Sequence, residues 1–333
     1  MARFMKGLYV SCRNDARRGI LTVSLTAARL CLNLMRRLSM AKALVLGGAT
    51  GLLGQALTRI LTERGWSTTT LGRQQGDVLD DAFLAERLDA AQPDVVFNTI
   101  AWTQVDDAEE HAEEARLVNR CLPASLARLL QERTSTLLMQ YSTDFVFGGQ
   151  HARPLKEDDK PHPHSVYGAT KLEGEEAVRA ALPERSCVLR TAWLFGHGRR
   201  NFVEAILDAC HRRDEIRVVH DQTGSPSFAD DVALYSALLA EAWLQKGEES
   251  GVLGIWHVTN SGEASWCELA CEAVQLTSAP CRVIPITSAE WPQKAKRPEY
   301  SVLCTDKLAA FLGRQPRPWP QALRAYLFAR KGE

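Results

Sequence analysis

A glycine-rich segment near residue 50 restricts this chain to a narrow set of folds. The apolar stretch 42–47 precedes it and is predicted to be a buried strand. The stretch from 51 to about 64 follows it and is predicted to be a helix with one apolar face. The segment itself reads Gly48-Ala49-Thr50-Gly51-Leu52-Leu53-Gly54. A strand, a glycine turn and a helix in this order are typical of a dinucleotide-binding unit.

Each glycine of this segment has a separate predicted role. Gly48 would allow the tight turn, Gly51 would let a pyrophosphate approach the backbone, and Gly54 would let the helix pack closely on the sheet. The phosphates would face the helix N-terminus. Three further residues there complete the predicted cofactor contacts: Thr50, Leu52 and Leu53. The GxxGxxG spacing differs from the common GxGxxG, and a glycine-rich turn without a ligand is the alternative.

Strands and helices alternate from this segment to about residue 190. Further strands are predicted at 67–71, 95–100, 136–141 and 186–190, and helices at 80–88, within 107–132 and at 166–181. This alternation favours an α/β fold, a Rossmann-like doubly wound parallel sheet. We therefore predict a nucleotide-binding Rossmann domain at 40–190. Because the pattern becomes irregular afterwards, 191–333 is predicted to be mainly a smaller substrate-binding lobe, with some segments returning to the Rossmann domain.

The end of the second predicted strand indicates which cofactor is used. A carboxylate there would hold the ribose 2′-hydroxyl of NAD. This chain has Leu71-Gly72-Arg73 instead, and Arg73 could pair with a 2′-phosphate. The sequence therefore favours NADPH, with NADH as the alternative. Asp77 could cover the adenine or could simply be a turn residue.

A tyrosine and a lysine lie four residues apart in the helix predicted at 166–181. At this spacing Tyr167 and Lys171 project from the same face. A free tyrosine has a pKa near 10, and a neighbouring ammonium group is expected to lower it. Tyr167 could then donate a proton to a carbonyl oxygen while hydride reaches the carbon.

Two hydroxyl side chains follow the strand predicted at 136–141. A hydroxyl of Ser142 or Thr143 could hydrogen-bond a substrate carbonyl beside Tyr167, because sites gather at the carboxyl ends of parallel strands. The alternative is that both hydroxyls only cap the end of the strand.

The basic residues are distributed unevenly. Residues 1–39 carry eight basic residues and one acid, although the whole chain has 40 of each sign. This segment resembles a targeting peptide, or it arises from a misassigned start before Met40. We predict that it is not part of the fold.

Composition excludes several classes of function. The overall charge balance gives no attraction to nucleic acid polymers, and no apolar run reaches the roughly 18 residues that a membrane span needs. The nine cysteines form no CxxC pair and no cluster with zinc spacing, so we predict no metal site. Scattered thiols of this kind indicate a reduced, cytoplasmic protein.

Together these motifs resemble the extended short-chain dehydrogenase/reductase superfamily and, within it, the dTDP-4-dehydrorhamnose reductase family. Four longer motifs strengthen the resemblance: Asn98-Thr99-Ile100-Ala101-Trp102-Thr103-Gln104-Val105-Asp106, Ser142-Thr143-Asp144-Phe145-Val146-Phe147, Arg190-Thr191-Ala192-Trp193 and Asp221-Gln222-Thr223-Gly224-Ser225-Pro226. Arg297-Pro298 is similar to a pair that closes over the sugar nucleotide in this family. The resemblance runs from about residue 42 to beyond 310.

The resemblance implies a role for each matched residue. Tyr167 would be the proton donor, Lys171 its partner and a ribose contact, and Thr143 the hydroxyl that orients the carbonyl. Ala101 would contact the nicotinamide. The substrate contacts would be Thr103, Val105, Asp106, Ser142, Trp193, Gln222 and Arg297.

The resemblance also implies the reaction. NADPH would reduce the 4-keto group of dTDP-4-dehydro-L-rhamnose to dTDP-L-rhamnose, in a monomer or homodimer. This chain departs from the family at Phe145 and Phe147, which lack hydroxyls, and at Trp102, where many members have histidine. Ala56 stands where some members use a glutamate to bind a Mg²⁺ ion that bridges a dimer, so that dimer is not expected.

Other activities share parts of this pattern. A 4,6-dehydratase needs an acid–base pair after the threonine, and Phe145 cannot transfer protons. A reductase or epimerase of another keto-sugar nucleotide stays open. So does a non-catalytic NADP-binding regulator, similar to the regulatory subunit of methionine adenosyltransferase.

Overall fold

Six parallel strands form the central sheet in the computed structural model, which describes residues 41–133, 135–149 and 153–330. The segment 1–39, predicted to lie outside the fold, is not among these residues. The described strands are β1 Lys42–Leu46, β2 Ser67–Leu71, β3 Val95–Asn98, β4 Leu137–Thr143, β5 Ser186–Thr191, β6 Leu194–Phe195, β7 Glu215–Val219, β8 Thr223–Gly224, β9 Ser227–Phe228, β10 Gly254–His257, β11 Ala264–Ser265 and β12 Arg282–Ile286. The order in the sheet is β10-β5-β4-β3-β1-β2. The predicted α/β class with a parallel sheet is confirmed.

Helices cover both faces of this sheet. The α-helices of the described residues are α1 Leu52–Glu63, α2 Asp81–Ala91, α3 Val105–Ala108, α4 Ala112–Arg116, α5 Leu122–Gln131, α6 Val166–Ala181, α7 Phe202–Cys210, α8 Ala229–Lys246, α9 Trp266–Thr277, α10 Asp306–Leu312 and α11 Trp319–Arg330. Val45 of β1 packs in one core with α1 and α8. Its neighbour Leu44 packs in the other core with α2 and α5. Successive strand residues point to opposite faces, so a run of apolar residues supplies both cores.

Two regular elements lie on the central sheet after residue 191, where the sequence pattern becomes irregular. The helix α8 is 18 residues long and packs with α1 over the central sheet. The strand β10 pairs with β5 as the sixth strand. The helix escaped prediction because it is buried on most of its circumference, including Val232, Ala233 and Ser236, so it lacks a one-sided apolar stripe.

The interval 107–132, predicted to carry one or two helices, is more finely divided. The structure has α3, α4, a π-helical turn at Leu117–Cys121 and then α5. The extra residue of a π-turn shifts the helix register, and such turns are frequent at functional sites. Here the turn places Asn119 in the interior, facing the helix α6.

The remaining elements form apolar clusters of their own. Val203 and Leu207 of α7 pack with Leu269 of α9 and Leu323 of α11. The short parallel pair β7–β12 lies against the same group of helices. None of the helices in the described part of the chain combines the length and apolar character of a membrane span.

The strand order brings three loops together at the carboxyl ends of neighbouring parallel strands. β1 lies between β2 and β3, so the chain leaves β1 in one direction and returns on its other side at β3. Ligands of doubly wound sheets bind at such a point, outside the carboxyl ends of the strands. The glycine segment after β1, the residues after β3 and those after β4 all meet there.

Candidate active site

The backbone of the glycine turn packs so closely on its neighbours that it leaves no room for a side chain at Gly48 or Gly54. The left-handed residue of the turn is Gly47, with φ +81°. Gly48 is required for space, because a Cβ there would lie 2.7 Å from Cγ2 of Thr70 on β2. The close helix packing expected at Gly54 is present, since its Cβ would lie 2.3 Å from the Gly47 carbonyl oxygen.

The N-terminus of α1 suits an anionic group. Gly51 is its N-cap in an extended conformation, and no side chain caps the first turn. The N–H groups around Leu52 and Leu53 are therefore accessible to a phosphate, which the helix dipole also favours. The exposed Thr50 adjoins them. These features fit the pyrophosphate of a dinucleotide.

The residues after β2 are exposed. Arg73 makes no hydrogen bond or ion pair within the described residues, which leaves its guanidinium accessible to a phosphate. Asp77 has a local role: its carboxylate accepts a hydrogen bond of 2.9 Å from the Leu79 N–H. Gly76, with φ +152°, makes room there for the ring of Phe83.

The structure brings Tyr167, Lys171 and Thr143 together. Gly168 allows this approach, because a Cβ there would lie 2.2 Å from the Phe145 carbonyl oxygen just after β4. The Lys171 Nζ is buried and donates a 2.6 Å hydrogen bond to the Tyr141 carbonyl oxygen on β4. The Thr143 hydroxyl accepts from the Phe145 N–H at 3.2 Å, and this hydroxyl lowers the pKa of the Tyr167 phenol.

The pKa of Tyr167 does not shift in the predicted direction. Burial is the main cause that raises it to about 12; the Thr143 hydroxyl opposes this in part, and the charge of Asp144 adds to the rise. Burial also lowers the pKa of Lys171 to about 8. Desolvation of both groups therefore dominates over the expected effect of the ammonium. At neutral pH the tyrosine keeps its proton, which is the form that a proton donor needs.

The loop after β3 is held by a residue that sequence reasoning missed. The side chain of Asn119 accepts from the Trp102 N–H at 2.9 Å and donates to the Trp102 carbonyl at 3.2 Å. It also donates to the Thr170 hydroxyl, between Tyr167 and Lys171. Asn119 therefore connects the loop to α6, the helix that carries Tyr167 and Lys171. Only the π-turn signals this role, and the sequence does not reveal that turn.

Three predicted site residues lie on this loop or at its end. Ala101 is half-buried, Thr103 is exposed, and Val105 begins α3. None of their side chains makes a hydrogen bond within the described residues. Their place at the carboxyl end of β3 is the one expected for cofactor and substrate contacts.

Asp106 and Arg297 form an ion pair across 191 residues of sequence. The two guanidinium nitrogens of Arg297 donate to the two carboxylate oxygens of Asp106 at 2.9 and 2.7 Å. The backbone N–H groups of Lys294 and Ala295 donate to the same carboxylate. The Arg297 hydrogen bonds hold the pKa of Asp106 at about 2. Two predicted substrate residues are thus in direct contact.

Trp193 is fixed by stacking. Its ring lies parallel to that of Trp266, with centroids 3.6 Å apart, and its backbone has φ +43°. The glycine of the 221–226 motif is explained here, because a Cβ at Gly224 would lie 2.5 Å from the Trp193 ring. Gln222 is buried and donates to the Ser288 hydroxyl at 2.8 Å. Ser288 in turn donates to Asp221.

Two further observations describe the polar groups near the site. The Ser142 hydroxyl is buried and has no hydrogen-bond partner within the described residues, as suits a group awaiting a ligand. No cluster of three or more His, Cys, Asp or Glu side chains with the arrangement of a metal site occurs in the described ranges.

Arg190, from the Arg190–Trp193 motif, lies behind the catalytic helix. It pairs with Glu175, one helical turn beyond Lys171, through hydrogen bonds of 2.7 to 3.2 Å. Both side chains are at most 2% exposed. Sequence reasoning identified the arginine by resemblance but not its partner, although Lys171 and Glu175 have the spacing of one helix face.

Comparison with known proteins identifies the family. A family profile described as the RmlD substrate binding domain matches residues 41–331. The chain is 41% identical over 278 residues to a dTDP-4-dehydrorhamnose reductase of Streptomyces griseus, covering 83% of this chain and 90% of the relative. It is 40% identical over 279 residues, 83% of this chain and 92% of the relative, to a Streptomyces antibioticus protein named as a probable dTDP-4,6-dihydroxy-2-methyloxan-3-one 4-ketoreductase.

A solved structure agrees with these relatives. The dTDP-4-dehydrorhamnose reductase of Bacillus anthracis, in complex with NADP, superimposes with a TM-score of 0.80 at 27% identity, covering 87% of this chain and 100% of that one. Profile, relatives and structure together show that the chain belongs to the dTDP-4-dehydrorhamnose reductase family.

Proposed function

We propose that this protein uses NADPH to reduce the 4-keto group of dTDP-4-dehydro-L-rhamnose, giving dTDP-L-rhamnose. The S. griseus relative bears the name of that activity. The observation that carries the proposal is the close packing of α6, which carries Tyr167 and Lys171, on the carboxyl end of β4 beside Thr143, in a chain whose glycine turn fits a dinucleotide. The reaction would take place in the cytoplasm, in a monomer or homodimer.

The site residues divide the chemistry between them. NADPH, when bound, supplies the hydride for the carbonyl carbon. Tyr167 gives its phenolic proton to the carbonyl oxygen, so ketone, hydride and proton together make the alcohol. Lys171, with a pKa of about 8, is mostly charged at pH 7 and stabilises the phenolate that remains. Thr143 orients the carbonyl oxygen.

The substrate residues suit a sugar nucleotide. A guanidinium binds phosphate oxygens in a two-pronged geometry, and Arg297 already makes this geometry with the carboxylate of Asp106. The ring of Trp193, held by Trp266, offers a flat apolar wall for a sugar. Gln222 and Ser142 add polar groups that could select hydroxyl positions.

The choice of cofactor can be tested at Arg73. We expect Arg73→Ala to weaken NADPH binding about 10-fold or more and to leave NADH binding nearly unchanged, because only NADPH has the 2′-phosphate. Fluorescence titration of each nucleotide would measure both constants. Arg282→Ala, an exposed arginine of β12, is the matched control. Equal losses for both nucleotides would remove Arg73 from the phosphate site.

The reaction itself is tested with the purified full chain. NADPH oxidation is followed at the nicotinamide absorbance with enzymatically prepared dTDP-4-dehydro-L-rhamnose, and the product is identified by mass and NMR. Formation of dTDP-L-rhamnose supports the proposal. Tight NADPH binding without turnover would contradict it and would favour the regulatory alternative.

A second keto-sugar nucleotide is a specific rival substrate. The S. antibioticus relative acts, by its name, on a differently substituted sugar. Phe145 packs edge to face on Tyr167, with centroids 5.6 Å apart, and presents no hydroxyl there. Turnover of the substrate named for that relative at a higher kcat/KM than dTDP-4-dehydro-L-rhamnose would replace the proposed substrate with this one.

A further inference from the structure

A buried carboxyl group adjoins the predicted carbonyl-orienting hydroxyl. Asp144 follows Thr143 directly, is 2% exposed, and lies in the short 3₁₀ turn Asp144–Val146 after β4. Its Oδ1 accepts from the Thr143 hydroxyl at 3.1 Å. Its Oδ2 accepts from the Ser301 hydroxyl at 2.6 Å, which comes from the far end of the chain.

The number of protons on the Thr143 hydroxyl limits what it can do. A hydroxyl has one proton to donate and two lone pairs to accept with. One lone pair accepts from the Phe145 N–H at 3.2 Å. When the Asp144 carboxylate is ionised it can only accept, so it holds the single Thr143 proton. Thr143 then has no proton to donate to a substrate carbonyl.

A neutral Asp144 reverses this arrangement. A protonated carboxyl can donate its own proton to the Thr143 oxygen while its second oxygen accepts from Ser301. The Thr143 proton is then free to point into the site. The protonation state of Asp144 therefore sets the direction of the Thr143 hydrogen bond.

The surroundings of Asp144 favour the neutral form more than usual. The groups facing it are the Thr143 hydroxyl and local backbone N–H groups from the end of β4, the Tyr167 phenol from α6, and the Ser301 hydroxyl. No cationic side chain hydrogen-bonds or pairs with it within the described residues, and the Lys171 ammonium of α6 donates to the Tyr141 carbonyl instead. Burial raises its pKa to about 6, and the Ser301 and Thr143 hydrogen bonds oppose that rise.

We propose that Asp144 is a positioning residue whose neutral carboxyl directs the Thr143 hydroxyl toward the substrate carbonyl. This inference rests on the proposed reduction. It differs from a role as proton source, because Asp144 touches the substrate only through Thr143. Ser301 lies four residues beyond Arg297, in the predicted substrate-binding segment. Its hydrogen bond to Asp144 would affect how readily that carboxyl loses its proton.

The first test is Asp144→Asn, which keeps the shape of the side chain and cannot ionise. The amide can donate to Thr143 and accept from Ser301, as the neutral carboxyl does. In the wild type we expect kcat/KM to fall about 10-fold or more as the pH rises past about 6, because Thr143 then can no longer donate its proton to the substrate carbonyl. This decrease forms a limb of the pH profile near pH 6. In Asp144→Asn we expect that limb to vanish, with activity at pH 7 at or above the wild-type value. The exposed Asp214→Asn is the control and should keep the wild-type profile.

The second test is Ser301→Ala, which removes one hydrogen bond from the carboxylate. Because that bond lowers the pKa of Asp144, we expect the limb to move upward by about one pH unit. This variant decides the matter if Asp144→Asn fails to fold. A limb that stays in place in Ser301→Ala would overturn the inference. So would a limb that persists in Asp144→Asn, or a folded Asp144→Asn that binds NADPH and has lost activity 100-fold.

A measurement without substrate separates this inference from the proposed function. The ¹³C shift of the Asp144 carboxyl can be titrated by NMR in the wild type and in Ser301→Ala. A midpoint near 6 that rises in the variant supports the inference, and a midpoint near 4 overturns it. If the wild type shows the expected titration and yet does not reduce dTDP-4-dehydro-L-rhamnose, the proposed substrate has failed, and the carboxyl assignment is then tested with the substrate that is turned over.

Discussion

Replacing Tyr167 with phenylalanine is expected to lower kcat by about 10²- to 10⁴-fold, the usual contribution of a positioned general acid. In the proposed reduction the phenol is the proton source, and its raised pKa keeps it protonated at neutral pH. The ring remains, so its edge-to-face contact with Phe145 and the fold should survive. NADPH affinity should be nearly unchanged, as titration calorimetry would show.

The matched control removes a buried tyrosine hydroxyl elsewhere. Tyr235 lies on α8, where its hydroxyl accepts from the Arg317 N–H. We expect Tyr235→Phe to keep the wild-type kcat and to lose about 1 kcal/mol of stability. A Tyr167→Phe enzyme with near-normal kcat would show that another group delivers the proton.

The second large effect is expected at Glu175. Glu175→Gln should lower the free energy of unfolding by about 3–5 kcal/mol, because it leaves Arg190 charged and buried without a counter-charge. Arg190 is 1% exposed, and its Nη1 already has no partner within the described residues. Denaturant midpoints at constant slope would measure the change.

An exposed pair of the same type is the control. Glu215 and Arg282 join β7 and β12 at 3.0 Å, with both side chains more than half exposed. Glu215→Gln should change stability little, because water solvates either partner alone. If Glu175→Gln lowers the free energy of unfolding no more than Glu215→Gln does, water or backbone shifts compensate the charge of the buried Arg190.

Glu175 also affects the pKa of Lys171, the proposed partner of Tyr167. Its charge raises the pKa of Lys171 and opposes the effect of burial. In Glu175→Gln the pKa of Lys171 should fall further, so the ammonium would lose its proton at a lower pH. The alkaline limb of the kcat profile should therefore move to lower pH.

The elements up to β5 were predictable because their signals are local. The short apolar runs of β1 and β3 and the glycine turn depend on neighbouring residues only. Boundaries shifted by a few residues, as at β4, which extends through Thr143 and so includes both predicted hydroxyls. The helix α8 and the strand β10 have no such signal, since their burial comes from segments far away in sequence.

In the candidate site, too, local spacing predicts some contacts, whereas others depend on segments that are far apart in sequence. Tyr167 and Lys171 share a helix, so their spacing predicts their proximity. The contacts of Asp106 with Arg297 and of Asp144 with Ser301 link segments more than 150 residues apart. The direction of the Tyr167 pKa shift was predicted wrongly because it depends on burial, which a sequence motif does not express.

By itself, the sequence determined the order of strands and helices up to β5, the glycine turn and the chemical groups available to the site. Those properties follow from local spacing and side-chain chemistry. The tertiary structure alone decided which carboxylate meets which arginine, that Asn119 holds the loop after β3, and how far burial shifts the pKa values of Tyr167, Lys171 and Asp144. Those properties depend on distances and desolvation between segments that only the folded chain brings together.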